Sequence, residues 1–167
     1  MAIRSIEQFN RLLGKVAAYF ALIMMLAQIF SVVARYVFSF GLISVQETVI
    51  YGHALIFLLG SAFVLQENKH VRVDVIYEAL SHKARRWVDL IGLIGFVLPV
   101  AGVILWFSWP YVARSWSTFE GSRQAGGLPA IFLLKTAILI FAVSVLLQVV
   151  ATVARILRGE TWAEDAS

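Results

Sequence analysis

The sequence predicts an all-α integral membrane protein with four transmembrane helices. Three observations carry this prediction: 60% of the 167 residues are hydrophobic, the mean hydropathy is +0.84, and the apolar residues form four continuous stretches. A helix crosses the hydrocarbon core of a bilayer with about 20 apolar residues at about 1.5 Å each. These stretches do not alternate between apolar and polar residues, as the strands of a membrane barrel would. The predicted spans are residues 16–34, 45–65, 87–107 and 129–153.

A short amphipathic segment precedes the first span. Ile3, Ile6, Phe9 and Leu13 recur at helical spacing between polar residues. Such a lead-in either lies on the membrane surface or extends the first helix. A cleaved signal peptide would also begin with basic and then apolar residues, but its apolar region is roughly 7–15 residues, shorter than the run found here. We therefore expect residues 16–34 to remain as a transmembrane helix.

The first two spans are joined by a short link in which Gly41 breaks the helix, so the second helix must return beside the first. Arg35 ends the first span and Glu47 begins the second, at similar depth. Charges near the ends of a span are easily paired, so we expect an Arg35–Glu47 ion pair between the two helices.

His53 lies inside the second span, about 12 Å along the helix from Val45. Haem or metal ligation draws on several groups, and the other two histidines, His70 and His82, lie in the polar central segment. We therefore expect no cofactor and no metal site. The simpler interpretation is a neutral, hydrogen-bonded histidine that faces a neighbouring helix on the Phe57 side.

The segment between the second and third spans, residues 66–86, is the most polar part of the chain. Its valines alternate with charged residues as in a strand, yet they also fit one face of a helix. We favour a short interfacial helix, with His70, Arg72 and Asp74 as candidate contact residues. Near the start of the third span, Asp89 stands four residues after Arg85, a spacing that allows the two to pair.

The third span carries a stripe of mostly small residues. Asp89, Gly92, Gly95, Pro99 and Gly102 recur at steps of three and four, which predicts a close packing face. Aromatic residues of the kind found at the headgroup level follow this span and are assigned to an outer loop: Trp106, Phe107, Trp109, Tyr111, Trp116 and Phe119.

A run of Gly126, Gly127, Leu128 and Pro129 predicts a break followed by a helix that starts at the proline. Six residues inside this fourth span stands Lys135. Its long side chain can reach the headgroups, or it can pair with a carboxylate of a partner protein. The four spans are expected to form a single membrane domain over residues 1–158, followed by a mobile acidic tail at 159–167.

The basic residues predict an orientation. Ten of the 14 Lys and Arg residues precede the first span, lie in the central segment or follow the last span. The positive-inside rule then places both termini and residues 66–86 in the cytoplasm. This distribution also indicates contact with membrane lipids, and no nucleic-acid partner is expected. The absence of cysteine excludes disulfides and thiolate metal sites.

The string from Gly60 to Asp74, which includes His70-Val71-Arg72-Val73-Asp74, resembles the signature of the DctQ family. This family comprises the small membrane subunits of tripartite ATP-independent periplasmic (TRAP) transporters. Arg35-Tyr36, Glu47, and the run from Leu128 to Lys135 fall at matching places, so the resemblance covers residues 10–155.

The resemblance implies a non-enzymatic subunit of the bacterial inner membrane. In that arrangement a periplasmic substrate-binding protein captures an organic acid or similar anion. A large membrane subunit of about a dozen helices then carries the anion inward on the sodium gradient. The small subunit packs against the static scaffold of the large one, and its outer aromatic residues are a candidate contact for the periplasmic protein.

Two other functions remain open at this stage. An autonomous four-helix, proton-coupled transporter would use Glu47 as its membrane carboxylate. A membrane anchor of a respiratory enzyme would hold haem through His53. The shallow position of Glu47 and the lack of a second membrane histidine argue against the two alternatives.

Overall fold

The computed structural model describes residues 2–67 and 80–158. The candidates His70, Arg72 and Asp74, most of the predicted interfacial segment, and the tail at 159–167 lie outside these ranges. Within them, the all-α prediction is confirmed. The helices are α1 (Ala2–Val37), α2 (Ile43–Gln66), α3 (His82–Gly92), α4 (Leu98–Ser117) and α5 (Ile131–Leu157), with a π-helical turn at Leu93–Val97 between α3 and α4.

The described part of the chain has four helical rods long and apolar enough to cross a membrane, as predicted. Helices α1, α2 and α5 are three of them. The fourth, called here the third rod, runs without interruption from Lys83 to Ser117 through α3, the π-helical turn and α4. The amphipathic lead-in extends the first helix, since α1 begins at Ala2.

Two boundaries differ from those predicted. The third rod continues to Ser117, so the aromatic residues from Trp106 to Trp116 lie on a helix and not in a loop. Pro110 does not end the helix: it lacks an N–H donor, but the regular apolar sequence on both sides of it continues the helical pattern. Helix α5 begins at Ile131, with Pro129 one residue before its N-cap residue Ala130.

The π-helical turn has a local cause in the sequence. Pro99 offers no N–H and would crowd the carbonyl of Gly95 in a regular α-helix. Residues 93–97, which come just before it, adopt the wider π-helical spacing, and this change lets the rod continue past the proline. Leu93 is buried within this turn, so the rod stays in contact with the core where it widens.

Helix α5 is the centre of the packing. It contacts α1, α2, α4 and the π-helical turn, and its buried residues include Ala142, Ser144 and Val149. Helices α1 and α2 pack closely against each other, whereas α4 rests mainly on α5. The third rod therefore forms one edge of the unit, with most of its surface turned outward.

The closest helix approach is between α1 and α2. A Cβ at Gly52 would lie 2.9 Å from the Cβ of Met24, and a Cβ at Gly14 would lie 2.6 Å from the Phe63 ring. Both glycines therefore allow the helices to approach at distances that no larger residue permits. From the sequence, we expected the glycines of the third span to form the close packing face. A Cβ at Gly92 or Gly102 would nevertheless meet no described atom within 4 Å.

One end of the unit carries most of the basic residues and is called the basic end. There, α1 and α5 are joined by a buried polar chain in which Asn10 donates to the Gln148 side chain at 2.8 Å. Gln148 in turn donates to the Thr152 hydroxyl at 3.1 Å. Arg155 pairs with Glu7 at 2.7 Å. The Asn10 side-chain oxygen is buried without a partner among the described residues, whereas the Asn10–Gln148 and Arg155–Glu7 contacts join α1 to α5 at a defined register.

Candidate functional site

The opposite end carries the Trp- and Tyr-rich end of α4 and is called the aromatic end. Its central feature is the loop at residues 118–130, which folds over the ends of α2 and α5. Two positions in the loop have positive φ: Phe119 at 44° and Gly126 at 79°. The loop is also joined to α5, because the N–H of Phe132 donates to the Glu120 carbonyl at 3.3 Å.

Glu47 holds this loop from the first turns of α2. Its carboxylate accepts a hydrogen bond from the backbone N–H of Leu128 at 2.6 Å and another from the Ser122 hydroxyl. The expected Arg35–Glu47 ion pair does not form among the described residues. Both carboxylate oxygens accept hydrogen bonds from the loop instead.

Lys135 has a partner within the chain. Its ammonium group pairs with the Glu120 carboxylate and lies 3.9 Å from the centre of the Tyr111 ring. Ser115 donates to the same carboxylate at 2.8 Å. From the sequence, we expected Lys135 either to reach the headgroups or to pair with a carboxylate of a partner protein. The partner is instead Glu120, because the loop returns over the start of α5.

These contacts change the acidity of Glu120, which lies outside the membrane-spanning helices. The hydrogen bond from Lys135 has the largest effect and the one from Ser115 the next largest. Both lower the pKa of Glu120 from its ordinary value of 4.5. Glu120 is therefore ionised at neutral pH, and the pair with Lys135 holds the loop against both α4 and α5.

An aromatic cluster completes this end. The Trp116 ring lies 4.7 Å from that of Phe132, and Phe119 lies 5.7 Å from the same ring, both in edge-to-face geometry. The Trp116 indole N–H donates to the Thr136 hydroxyl at 2.8 Å. The aromatic residues thus close the junction between α4 and α5, and the positive φ of Phe119 places its ring in the cluster.

The aromatic end is therefore an ordered cap. Glu47 and Glu120, the acidic groups described at this end, both stabilise the loop. Three arginines there, Arg35, Arg114 and Arg123, are exposed and form no ion pair with any described residue. The cap accordingly presents a positively charged outer surface.

Two polar side chains point outward at membrane depth. His53 is exposed, and its ring centroid lies 4.9 Å from that of Phe57. The side of α2 that contacts α1 is the Gly52 side, so the expectation that His53 faces a neighbouring helix stays a prediction. Gln28, in the second half of α1, is also exposed and has no hydrogen-bond partner among the described residues.

The stripe on the third rod also turns outward. Gly95 is exposed, and Gly92 and Gly102 are half-exposed. A groove of about 480 Å³ opens on the same rod between Gly102 and Pro110. The pairing of Asp89 with Arg85 stays a prediction.

Several important residues were not singled out from the sequence. Asn10 and Gln148 are buried members of the polar chain at the basic end, and Ser122 and Glu120 are the loop partners of Glu47 and Lys135. Asn10 and Gln148 could have been noticed as amides within otherwise apolar helical faces. The loop partners lie in a polar, glycine-rich segment in which the sequence carries no signal for long-range pairing.

Comparison with known proteins gives a match to a protein family. A family model described as "Tripartite ATP-independent periplasmic transporters, DctQ component" matches residues 18–159, most of the chain. No curated protein and no solved structure matches the sequence.

Proposed function

The chain belongs to the DctQ family of TRAP transporters, as their small membrane subunit, and from this premise we propose that it packs on the static scaffold of the large membrane subunit. The proposed complex takes up an organic acid or similar anion delivered by a periplasmic binding protein, using the sodium gradient. The substrate class and the driving ion follow from the family assignment and not from particular residues of this chain.

The observation that carries the proposal is the pair of outward-facing polar side chains, His53 and Gln28. A polar group that faces lipid at membrane depth lacks hydrogen-bond partners, which costs free energy. A neighbouring helix that offers a donor or acceptor removes this cost, and such bonds contribute about 0.6–2 kcal/mol each. These two residues therefore mark the surface of α1 and α2 that meets the large subunit.

The inner packing supports a scaffold role over a carrier role. The contacts of Glu47 with Leu128 and Ser122 use both carboxylate oxygens to hold a loop. A carboxylate that coupled proton binding to transport would instead need access to a path through the membrane. In the proposed complex, substrate binding and ion coupling belong to the large subunit, and no residue of this chain contacts the substrate.

The proposed orientation places the basic end in the cytoplasm and the aromatic end in the periplasm. The exposed cations of the basic end, which include Arg4, Arg11, Lys83 and Arg158, support it. In this orientation the cap faces the periplasmic binding protein. Because the chain has no cysteine, Gln124→Cys and Arg158→Cys each give a single thiol. In spheroplasts, a membrane-impermeant thiol reagent should label the first variant and not the second.

The subunit contact is tested by photocrosslinking in the intact complex. A photoreactive amino acid at position 53 of the full chain, expressed with its native partners, should crosslink to one large polytopic protein. The matched control carries the same group at position 103, where Val103 is an exposed apolar residue of the third rod. Equal crosslinking at both positions, or crosslinking at 53 only to further copies of this chain, would contradict the proposal.

A further inference from the structure

We propose that the groove on the aromatic half of the third rod is a binding site for one phospholipid molecule. The groove has a volume of about 480 Å³ and is lined by Gly102, Leu105, Trp106, Trp109 and Pro110. This volume lies within the range of small-ligand clefts, about 300–1,000 Å³. The inference concerns the membrane around the subunit and does not depend on the proposed partner.

The groove has an open apolar floor. A Cβ at Gly102 would meet no described atom within 4 Å, so the glycine leaves a depression beside Leu105. Trp106 and Trp109 form its walls and are 78% and 64% exposed. A dry depression with large exposed walls on a membrane-spanning rod fits a flexible hydrocarbon chain.

Beyond the apolar groove, polar groups follow along the rod in the same order as the polar parts of a phospholipid, from the glycerol esters to the phosphate. The indole N–H groups of Trp106 and Trp109 bond to no described residue, and they lie closer to the aromatic end than Gly102 does. Pro110 cannot supply the N–H that a helix would normally offer to the Trp106 carbonyl. Indole groups prefer the depth of the glycerol esters, where one side of the ring is apolar and the N–H finds an acceptor.

Charge complementarity identifies the headgroup. Arg114 lies one turn beyond Pro110, is exposed, and forms no ion pair with any described residue. A guanidinium group binds a phosphate through paired hydrogen bonds. The rise from Gly102 to Arg114 is about 18 Å along the helix, close to the half-thickness of a hydrocarbon core, about 15 Å. One lipid therefore reaches from the groove floor to the arginine.

This assignment revises the expectation for Gly102, which the sequence placed in a protein packing face. The competing occupant is a transmembrane helix of a partner subunit seated in the same groove. A helix would need a carboxylate at the depth of Arg114 to match it, whereas a phospholipid always carries a phosphate there.

The test uses the intact complex in nanodiscs that contain phosphatidylglycerol with a photoreactive diazirine in one acyl chain. Peptide mapping should place the lipid adduct between residues 102 and 110. Gly102→Leu fills the groove and should reduce the adduct about fivefold or more, whereas Gly92→Leu, at an equally open glycine outside the groove, should leave it unchanged. Arg114→Gln should reduce it about fivefold, and Arg123→Gln, at an exposed arginine of the loop, should not.

Two results would overturn the proposal. An adduct that is equally strong in Gly102→Leu and in the parent protein would indicate annular lipid without a site. Absence of the adduct would also overturn it, and crosslinking of a photoreactive group at position 105 to a partner protein would then show that a helix occupies the groove.

Discussion

The backbone N–H of Leu128 donates to the Glu47 carboxylate at 2.6 Å, across 81 positions of the sequence. This bond joins the first turns of α2 to the residue that leads into α5. Since the same carboxylate also binds the Ser122 hydroxyl, one acidic side chain joins α2 to two points of the loop. A glutamate at the end of a membrane span thus has a structural task that does not require proton transfer.

Replacing Glu47 should loosen the cap without unfolding the helices. In Glu47→Gln a neutral amide replaces the carboxylate, so both loop contacts lose the strengthening that the negative charge gives them. Hydrogen bonds to charged groups contribute about 1.5–3 kcal/mol. Hydrogen exchange at Leu128 should therefore accelerate about 10- to 100-fold.

The control for this prediction is Gln46→Ala, one residue earlier, whose side chain bonds to no described residue. Substrate uptake by the complex distinguishes a structural role of Glu47 from a role in proton coupling. Full loss of transport by Glu47→Gln in an intact complex would favour the proton-coupled alternative, whereas retained transport agrees with a structural role.

The Glu120–Lys135 pair should make the stability of the cap depend on pH. The pKa of Glu120 is lower in the folded protein than its ordinary value of 4.5, because Lys135 and Ser115 bond to its ionised form. Its contribution is therefore fully present above pH 4.5 and is lost as the pH falls through the lowered pKa. The thermal unfolding midpoint of the parent protein should exceed that of Glu120→Gln at neutral pH, and the difference should shrink below pH 4.5. A difference that stays constant down to pH 3 would contradict this coupling.

The close approach of α1 and α2 should tolerate no side chain at Gly52. A methyl group there would lie 2.9 Å from the Cβ of Met24 and 3.4 Å from the Phe20 carbonyl oxygen. Gly52→Ala should lower the free energy of unfolding by about 1–3 kcal/mol, as measured by denaturant titration in mild detergent. Gly92→Ala supplies the control, because its Cβ meets open space. Equal effects at the two glycines would show that the helices can separate at little cost.

The buried amides at the basic end should behave as a unit. Asn10→Leu leaves the Gln148 carbonyl oxygen without its donor, and an unsatisfied buried group costs about 1–3 kcal/mol. Replacing both amides with leucine removes the unpaired groups together and should recover much of the lost stability. A double-mutant cycle on the unfolding free energy measures this coupling. If the losses of the two single variants simply add, the amides do not act together.

The sequence predicted the helices better than their partners. Apolar run length was enough for four spans, because a helix in lipid must satisfy its own backbone. The length of the apolar run did not predict where the third rod ends. Aromatic residues at the headgroup level do not indicate whether a helix continues past the membrane core. Trp116 contacts Phe132 of α5, whereas Trp109 is exposed on the same helix.

The site residues were harder to place for a physical reason. Glu47 and Lys135 were each recognised as charges that need a partner, but their partners lie in a loop whose path depends on tertiary contacts. The glycine stripe was recognised by spacing alone, and spacing does not reveal whether a face turns inward or outward. His53 shows the same limit, since its position in α2 fixes its depth but not the helix that it meets.

The central claim, that this chain is an accessory subunit bound to a large membrane partner, is tested most directly by co-purification. The full chain would be tagged at its C-terminus, extracted gently from its native membranes, and its partners identified and counted by mass spectrometry. We predict one large polytopic protein in a one-to-one ratio, with His53→Leu and Gln28→Leu each lowering its recovery. A homo-oligomer without such a protein would contradict the account and would make Glu47 the residue to pursue.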